Sequence, residues 1–91
     1  MSLTISLPSI LARLADGQRA LPAAGGTVGE AVADLTRRFP SLATRLVDDH
    51  GQPYPFVTYY LNDEDIRFTG GFDAPVHDGD EITIVSAVAG G

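Results

Sequence analysis

The sequence predicts an α+β fold, a mixed sheet with one main helix packed across one face. Three observations predict it. A run of period two opens the chain, a single capped amphipathic helix follows, and the second half is rich in aromatic and β-branched residues between turn signals. The 91 residues suit one small domain, spanning 1–91, and leave no room for a second core.

Leu3, Ile5 and Leu7 alternate with Ser2, Thr4 and Ser6, the pattern of a half-buried strand, and Pro8 closes it. Residues 9–17 show no single periodicity; Ile10, Leu11 and Leu14 fit a short turn before Gly17. Gln18 to Ala23 reads as a second strand with Pro22 near its end, and Gly25-Gly26 breaks the chain. Thr27-Val28-Gly29-Glu30 is a capping-box pattern in which Thr27 accepts from the Glu30 amide and Glu30 reaches back. Val28, Ala31, Val32, Leu35 and Phe39 then form one apolar stripe at helical spacing. Arg37 and Arg38 suit the negative end of the helix dipole, and Pro40 stops the helix. Leu42 and Leu46 add one short turn before the loop Asp48-Asp49-His50-Gly51.

Phe56 to Asn62 reads as a strand, Asn62 to Asp65 as a polar turn, and Ile66-Arg67-Phe68 as a short return strand. Thr69-Gly70-Gly71 bends the chain, and Val76 to Asp80 holds an Asp-Gly turn. Glu81 to Val88 is a final strand with Ile82 and Ile84 on one side and Thr83, Val85 and Ala87 on the other. Such alternation places Val57, Tyr59 and Leu61 inside and leaves Phe56, Thr58, Tyr60 and Val85 outside. Phe68 and Phe72 join either the core or the outer patch.

Composition removes whole classes of function. There is no cysteine, hence no disulfide framework, thiolate zinc site or cysteine nucleophile. Twelve acids against six basic residues, all arginine, give a net charge of -6, which argues against a nucleic-acid partner. No stretch approaches a membrane span, and Met1-Ser2-Leu3-Thr4 does not read as a signal peptide, so a cytoplasmic domain is expected.

No residue group reads as an active site. His50 and His77 sit in separate polar turns without an organised neighbour. Asp63-Glu64-Asp65 lacks the spaced ligands of a calcium loop, so no metal is expected. Gly25-Gly26 and Gly70-Gly71 lack the spacing of a phosphate loop, and Ser86 has no nucleophile motif. What remains is the end, Ala87-Val88-Ala89-Gly90-Gly91. An extended Gly-Gly end has no Cβ to block entry into a narrow channel, and its carboxylate is a chemical handle that needs no catalytic side chain.

With this tail, the blocks Tyr60-Leu61-Asn62-Asp63-Glu64-Asp65-Ile66-Arg67-Phe68-Thr69-Gly70-Gly71 and Asp78-Gly79-Asp80 make the chain resemble the MoaD/ThiS sulfur carriers. These are small ubiquitin-like β-grasp proteins, and within them the CysO-type carriers of cysteine biosynthesis look most similar. The resemblance implies a four- to five-stranded mixed sheet and a flexible tail over residues 87–91. It further implies that an ATP-dependent, E1-like enzyme adenylates the carboxylate of Gly91. Sulfide or persulfide then displaces AMP and leaves a thiocarboxylate. A second, cysteine synthase-like enzyme takes the sulfur onto an aminoacrylate on pyridoxal phosphate made from O-phosphoserine, and a metalloprotease releases the product and restores Gly91. The chain itself is then a cosubstrate and no enzyme, with ATP and pyridoxal phosphate held by partners.

On that resemblance Gly91 carries the sulfur, Gly90 allows close approach, and Ala87, Val88 and Ala89 thread into the partner. Tyr60 and Val85, with Phe56, are the expected docking patch beside the tail. Lysine is absent; an activated terminus would acylate lysines, and a coding bias toward arginine gives the same composition. Two other readings stand beside the cysteine pathway. One is a molybdopterin synthase small subunit, or a carrier for thiamin thiazole or specialised metabolites. The other is a β-grasp interaction module or protein modifier that never carries sulfur.

Overall fold

The computed structural model describes residues 2–86. The opening alternation forms β1 (Ser2–Ser6), which pairs antiparallel with β2 (Ala20–Ala24), Leu3 opposite Ala23 and Ile5 opposite Leu21. All four are buried, because their parity directs them to one face. The second strand thus begins and ends slightly later than its sequence pattern indicates. Residues 9–17 are helical: α1 (Ser9–Ala12) runs on into a 3₁₀ turn at Arg13–Ala15. Leu11, Ala12 and Ala15 are its buried residues, whereas Ile10 stays exposed.

The main helix, α2 (Val28–Arg38), begins as its cap predicts. Thr27 Oγ1 accepts from the Glu30 amide at 3.1 Å. Glu30 reaches one residue further back than a capping box requires, and its Oε1 accepts from Gly26 N–H at 2.7 Å. The chain passes so close over this first turn that a Cβ on Gly25 would lie 2.8 Å from Ala31 N and from Glu30 Cβ. Gly25 is a contact requirement, with no phosphate loop behind it. Val28, Ala31, Val32 and Leu35 bury the stripe against the sheet. Pro40 ends α2 and opens α3 (Pro40–Leu46), where its missing N–H costs nothing; Leu42 and Leu46 are buried along nearly two turns, more than the single one their spacing suggests.

β3 (Val57–Leu61), β4 (Glu64–Asp65) and β5 (Glu81–Ser86) complete a five-stranded sheet in the order β2-β1-β5-β3-β4. β5 is central, parallel to β1 and antiparallel to β3. Ile82 and Ile84 face the helix, and Tyr59 packs edge-on against Phe72 at 5.1 Å, which settles Phe72 on the core side. Asn62 and Asp63 both hold positive φ, 51° and 75°, the signature of a two-residue hairpin turn.

Ile66-Arg67-Phe68 is a 3₁₀ turn and not the expected return strand. The tight hairpin already pairs Glu64 with Leu61 and Asp65 with Tyr60, so β4 is two residues long. Asp65 Oδ1 then accepts from Arg67 N–H at 2.9 Å and turns the chain away from the ladder. Phe68 is consequently 83% exposed.

The sheet has two distinct ends. The start of β5, the β3–β4 turn and the start of β1 share one, tied by Gly79 N–H to Ser2 C=O and Asn62 N–H to Glu81 C=O, both at 2.9 Å. The end of β5, where Ser86 pairs with Val57, shares the other with the junction from β1 into α1. No helix of the described residues is long and apolar enough to cross a membrane.

Candidate functional site

Residues 87–91 lie outside the described part of the chain, so the expected roles of Ala87, Val88, Ala89, Gly90 and Gly91 fall there. What the fold supplies is their root. β5 leaves the centre of the sheet, flanked by β1 and β3, and its last described residue, Ser86, stands opposite Val57.

On the sheet face away from the helices, Val85 lies opposite Thr58 and Tyr60 opposite Thr83. Tyr60 and Val85 are therefore diagonal neighbours on one face, within side-chain reach of each other. Val85 is 46% exposed and Tyr60 half-buried. Phe56 lies in a turn one residue before β3, where Val57 N–H donates to Tyr54 C=O at 3.1 Å. Its ring stacks on Tyr54 at 4.9 Å and 10°, leaving it 38% exposed at the same end of the sheet as Ser86. The three expected docking residues thus lie on the outer face or at the tail end, and Tyr54 joins Phe56 as a stack that sequence reasoning did not single out.

The remaining polar groups serve the fold. Asp80 Oδ1 accepts from Asn62 Nδ2 at 3.0 Å, Asp80 Oδ2 accepts from His77 N–H at 2.8 Å, and Asn62 Oδ1 accepts from Glu81 N–H at 3.0 Å. This clamp joins the β3–β4 turn to the entry of β5, and the Asn62 hydrogen bond holds the Asp80 carboxyl below its ordinary range. His77 lies 3.8 Å from Asp80 on the surface, at the opposite end from Ser86. Asp65 is held low by the side-chain hydrogen bonds of Arg67, so the acidic run Asp63-Glu64-Asp65 carries an internal ion pair. Among the described residues no group of His, Asp and Glu is placed to hold a metal, and no polar or charged residue is buried.

A groove of about 200 Å³ lies along β3 between Pro53, Tyr54, Pro55, Val57, Tyr59 and Ile66, with Arg67 at its edge. It holds no nucleophile or general base. The groove and the outer-face residues offer surfaces for recognition.

Comparison with known proteins agrees with this picture. The ThiS family model matches residues 5–91. A curated sulfur carrier protein CysO of Mycobacterium tuberculosis is 42% identical over 93 residues, covering all of both chains. Among solved structures, the crystal structure of the Amycolatopsis orientalis BexX/CysO complex matches with a TM-score of 0.89 and 43% identity, covering 98% of this chain and 99% of that one. The crystal structure of the modifier protein SAMP1 from Haloferax volcanii matches with a TM-score of 0.85 and 28% identity over 100% of both chains. The chain belongs to the ThiS family, with its ubiquitin-like β-grasp fold, and is a carrier-type protein rather than an enzyme.

Proposed function

We propose that the chain is a cytoplasmic sulfur carrier whose Gly91 carboxylate is converted to a thiocarboxylate, with sulfur delivered for cysteine synthesis from O-phosphoserine. The observation that carries this reading is the family match, which runs through residue 91 and so includes the Gly-Gly end. The central position of β5 supports it, since the strand leading to the tail is anchored on both sides.

The chemistry follows from carboxylate reactivity. A carboxylate is a poor electrophile. In an E1-like partner, its oxygen attacks the α-phosphorus of ATP and pyrophosphate leaves. The acyl-adenylate then accepts sulfide or persulfide sulfur at the carbonyl carbon and releases AMP. The resulting thiocarboxylate is anionic near neutral pH and nucleophilic. An acceptor enzyme holding pyridoxal phosphate supplies the electrophile, and a metalloprotease frees the product from Gly91. Within this chain, Tyr60, Val85 and Phe56 grip the partners while Ala87 to Gly91 enter them. Gly90 permits the close approach, as no Cβ crowds the channel.

Intact mass tests this directly. After incubation with ATP, sulfide and an activating enzyme, the chain should gain the mass difference between sulfur and oxygen. Removing Gly91 should abolish the gain and leave the urea midpoint unchanged. No thiocarboxylate with any activating enzyme that forms the adenylate would refute the reading.

The likeness to SAMP1 favours a second reading, a protein modifier joined to amines through Gly91. An adenylate that yields amide conjugates on acceptor lysines, with no thiocarboxylate, would select it.

A further inference from the structure

At the end of the sheet away from Ser86, a cleft of about 300 Å³ opens between the β3–β4 turn and the segment that leads into β5. Leu61, Ala74 and Pro75 give it apolar walls, and Glu64 and Asp80 line it with two carboxylates. No arginine is among the described residues that line it. Both walls are fixed. The segment before β5 is tied to the start of α2, where Val28 N–H donates to Ala74 C=O at 3.0 Å and Val76 N–H to Gly26 C=O at 3.1 Å. On the other side, Asn62 joins the β3–β4 turn to the Asp80 carboxylate and to the amide of Glu81. The cleft is therefore formed before any ligand arrives, which lowers the ordering cost of filling it.

Its two carboxylates have capacity to spare. The Asp80 oxygens accept one N–H each, from Asn62 and from His77, which leaves each a second lone pair. The Asp80 side chain is only 19% exposed, so water screens its charge poorly. Glu64 forms no salt bridge with the described residues, and the nearest arginine in sequence, Arg67, is committed to Asp65. His77 also lines the cleft, its ring 3.8 Å from Asp80 and mostly in solvent.

Among the described residues no group of His, Asp and Glu converges as metal ligands, and a bare ion would leave the apolar walls in water. A cation carried on an apolar stem satisfies both parts: the walls take the methylenes and the carboxylates take the head. Guanidinium suits the pair better than ammonium. It is planar, presents its donors as a fork, and is more weakly hydrated, so it gives up less on entering. We propose that this cleft is a docking site for one arginine side chain of a partner protein, a second point of attachment remote from the root of the tail. The surrounding acids Asp63, Asp78 and Glu81 add a negative field that draws a basic partner rim toward it. The site needs no reaction at Gly91.

A blocked Gly-Arg-Gly peptide titrated into the nitrogen-labelled chain, followed by its amide spectrum, tests this. The shifts should saturate and centre on the amides of Asn62, Glu64, Thr69, Ala74 and His77. The same peptide with citrulline, equal in shape but uncharged, should not bind, and one with lysine should bind more weakly. Glu64→Gln keeps the shape and removes one charge, so affinity should fall about three- to fivefold, the scale of one surface ion pair. Thr69→Lys, at an exposed residue of the lining, supplies an internal cation and should abolish the response. Both positions are exposed, so the urea midpoints of the variants should match that of the unchanged chain. Absence of a saturable shift would overturn the proposal. So would equal binding of the citrulline or lysine peptide, shifts spread equally to Asp16 and Asp49, or a response indifferent to both substitutions. Failure to form a thiocarboxylate would refute the carrier reading alone and leave this result standing.

Discussion

Tyr59 shows how one side chain can serve core and hydrogen bonding at once. Its ring is buried between β3 and Phe72, and its hydroxyl donates to Leu46 C=O at 2.9 Å, tying β3 to the end of α3. Tyr59→Phe keeps the ring and orphans that buried carbonyl, so it should cost about 1–2 kcal/mol in urea unfolding. Burial also pushes the phenol pKa up. A group raised in the folded state gives its stability below the unfolded value, near ~10, and loses it as pH rises toward the folded value. Stability should therefore fall above pH ~10, and the fall should be shallower in Tyr59→Phe. The burial of Tyr59 is legible from the alternation of Val57, Tyr59 and Leu61. Its partner is not, because Leu46 lies 13 residues away and its carbonyl belongs to a helix end that no sequence pattern fixes.

The exposed edge of β2 is managed by α2. Ala24 N–H donates to Asp34 Oδ2 at 3.1 Å, and the Arg38 guanidinium donates to Pro22 C=O. Asp34 also pairs with Arg37 and Arg38, at 2.7 and 3.3 Å, so one carboxylate organises both arginines of the last turn. Edge strands left unpaired template association with other chains. The double variant Asp34→Ala, Arg38→Ala should therefore lose about 1–2 kcal/mol and show concentration-dependent oligomers by light scattering. Oligomer-free behaviour would mean that Pro22 alone blunts this edge. From sequence these arginines read only as dipole partners at the helix end, since the diagonal crossing of α2 over β2 is tertiary information. Elements with their own caps and periods, β1, α2 and β5, were legible; Ile66-Arg67-Phe68 was not. Two apolar residues around one charged residue fit a strand, but the side chain of Asp65 competes for the Arg67 amide and wins.

Charge is divided between the ends of the sheet. Asp63, Glu64, Asp78, Asp80 and Glu81 cluster around the β3–β4 turn and the entry to β5, whereas the β1–β2 connection at the other end carries Arg13 and Arg19 against the single acid Asp16. The Gly-Gly end stands out in the sequence as residue types, since it needs no tertiary contact to be noticed; the acidic cluster at the other end of the sheet does not, because it arises from strand order. It has a consequence for acid stability. Asp48 is held low by the amides of Gln52 and His50, Asp65 by Arg67, and Asp80 by Asn62 and His77. A carboxyl lowered in the folded state gives its stability above the unfolded value and loses it as pH falls through the folded one. The urea midpoint should therefore hold from neutral pH down to about pH 4, near the unfolded carboxylate value, and fall below it. Asp80→Asn should flatten that acid limb, because its charged hydrogen bonds to the β3–β4 turn are the ones protonation removes. Near pH 7 the clustered acids and the net charge of -6 repel, so added salt should raise the midpoint slightly there. A variant that keeps the full acid limb after loss of Asp80 would shift the effect to Asp65, which the matching Asp65→Asn profile decides.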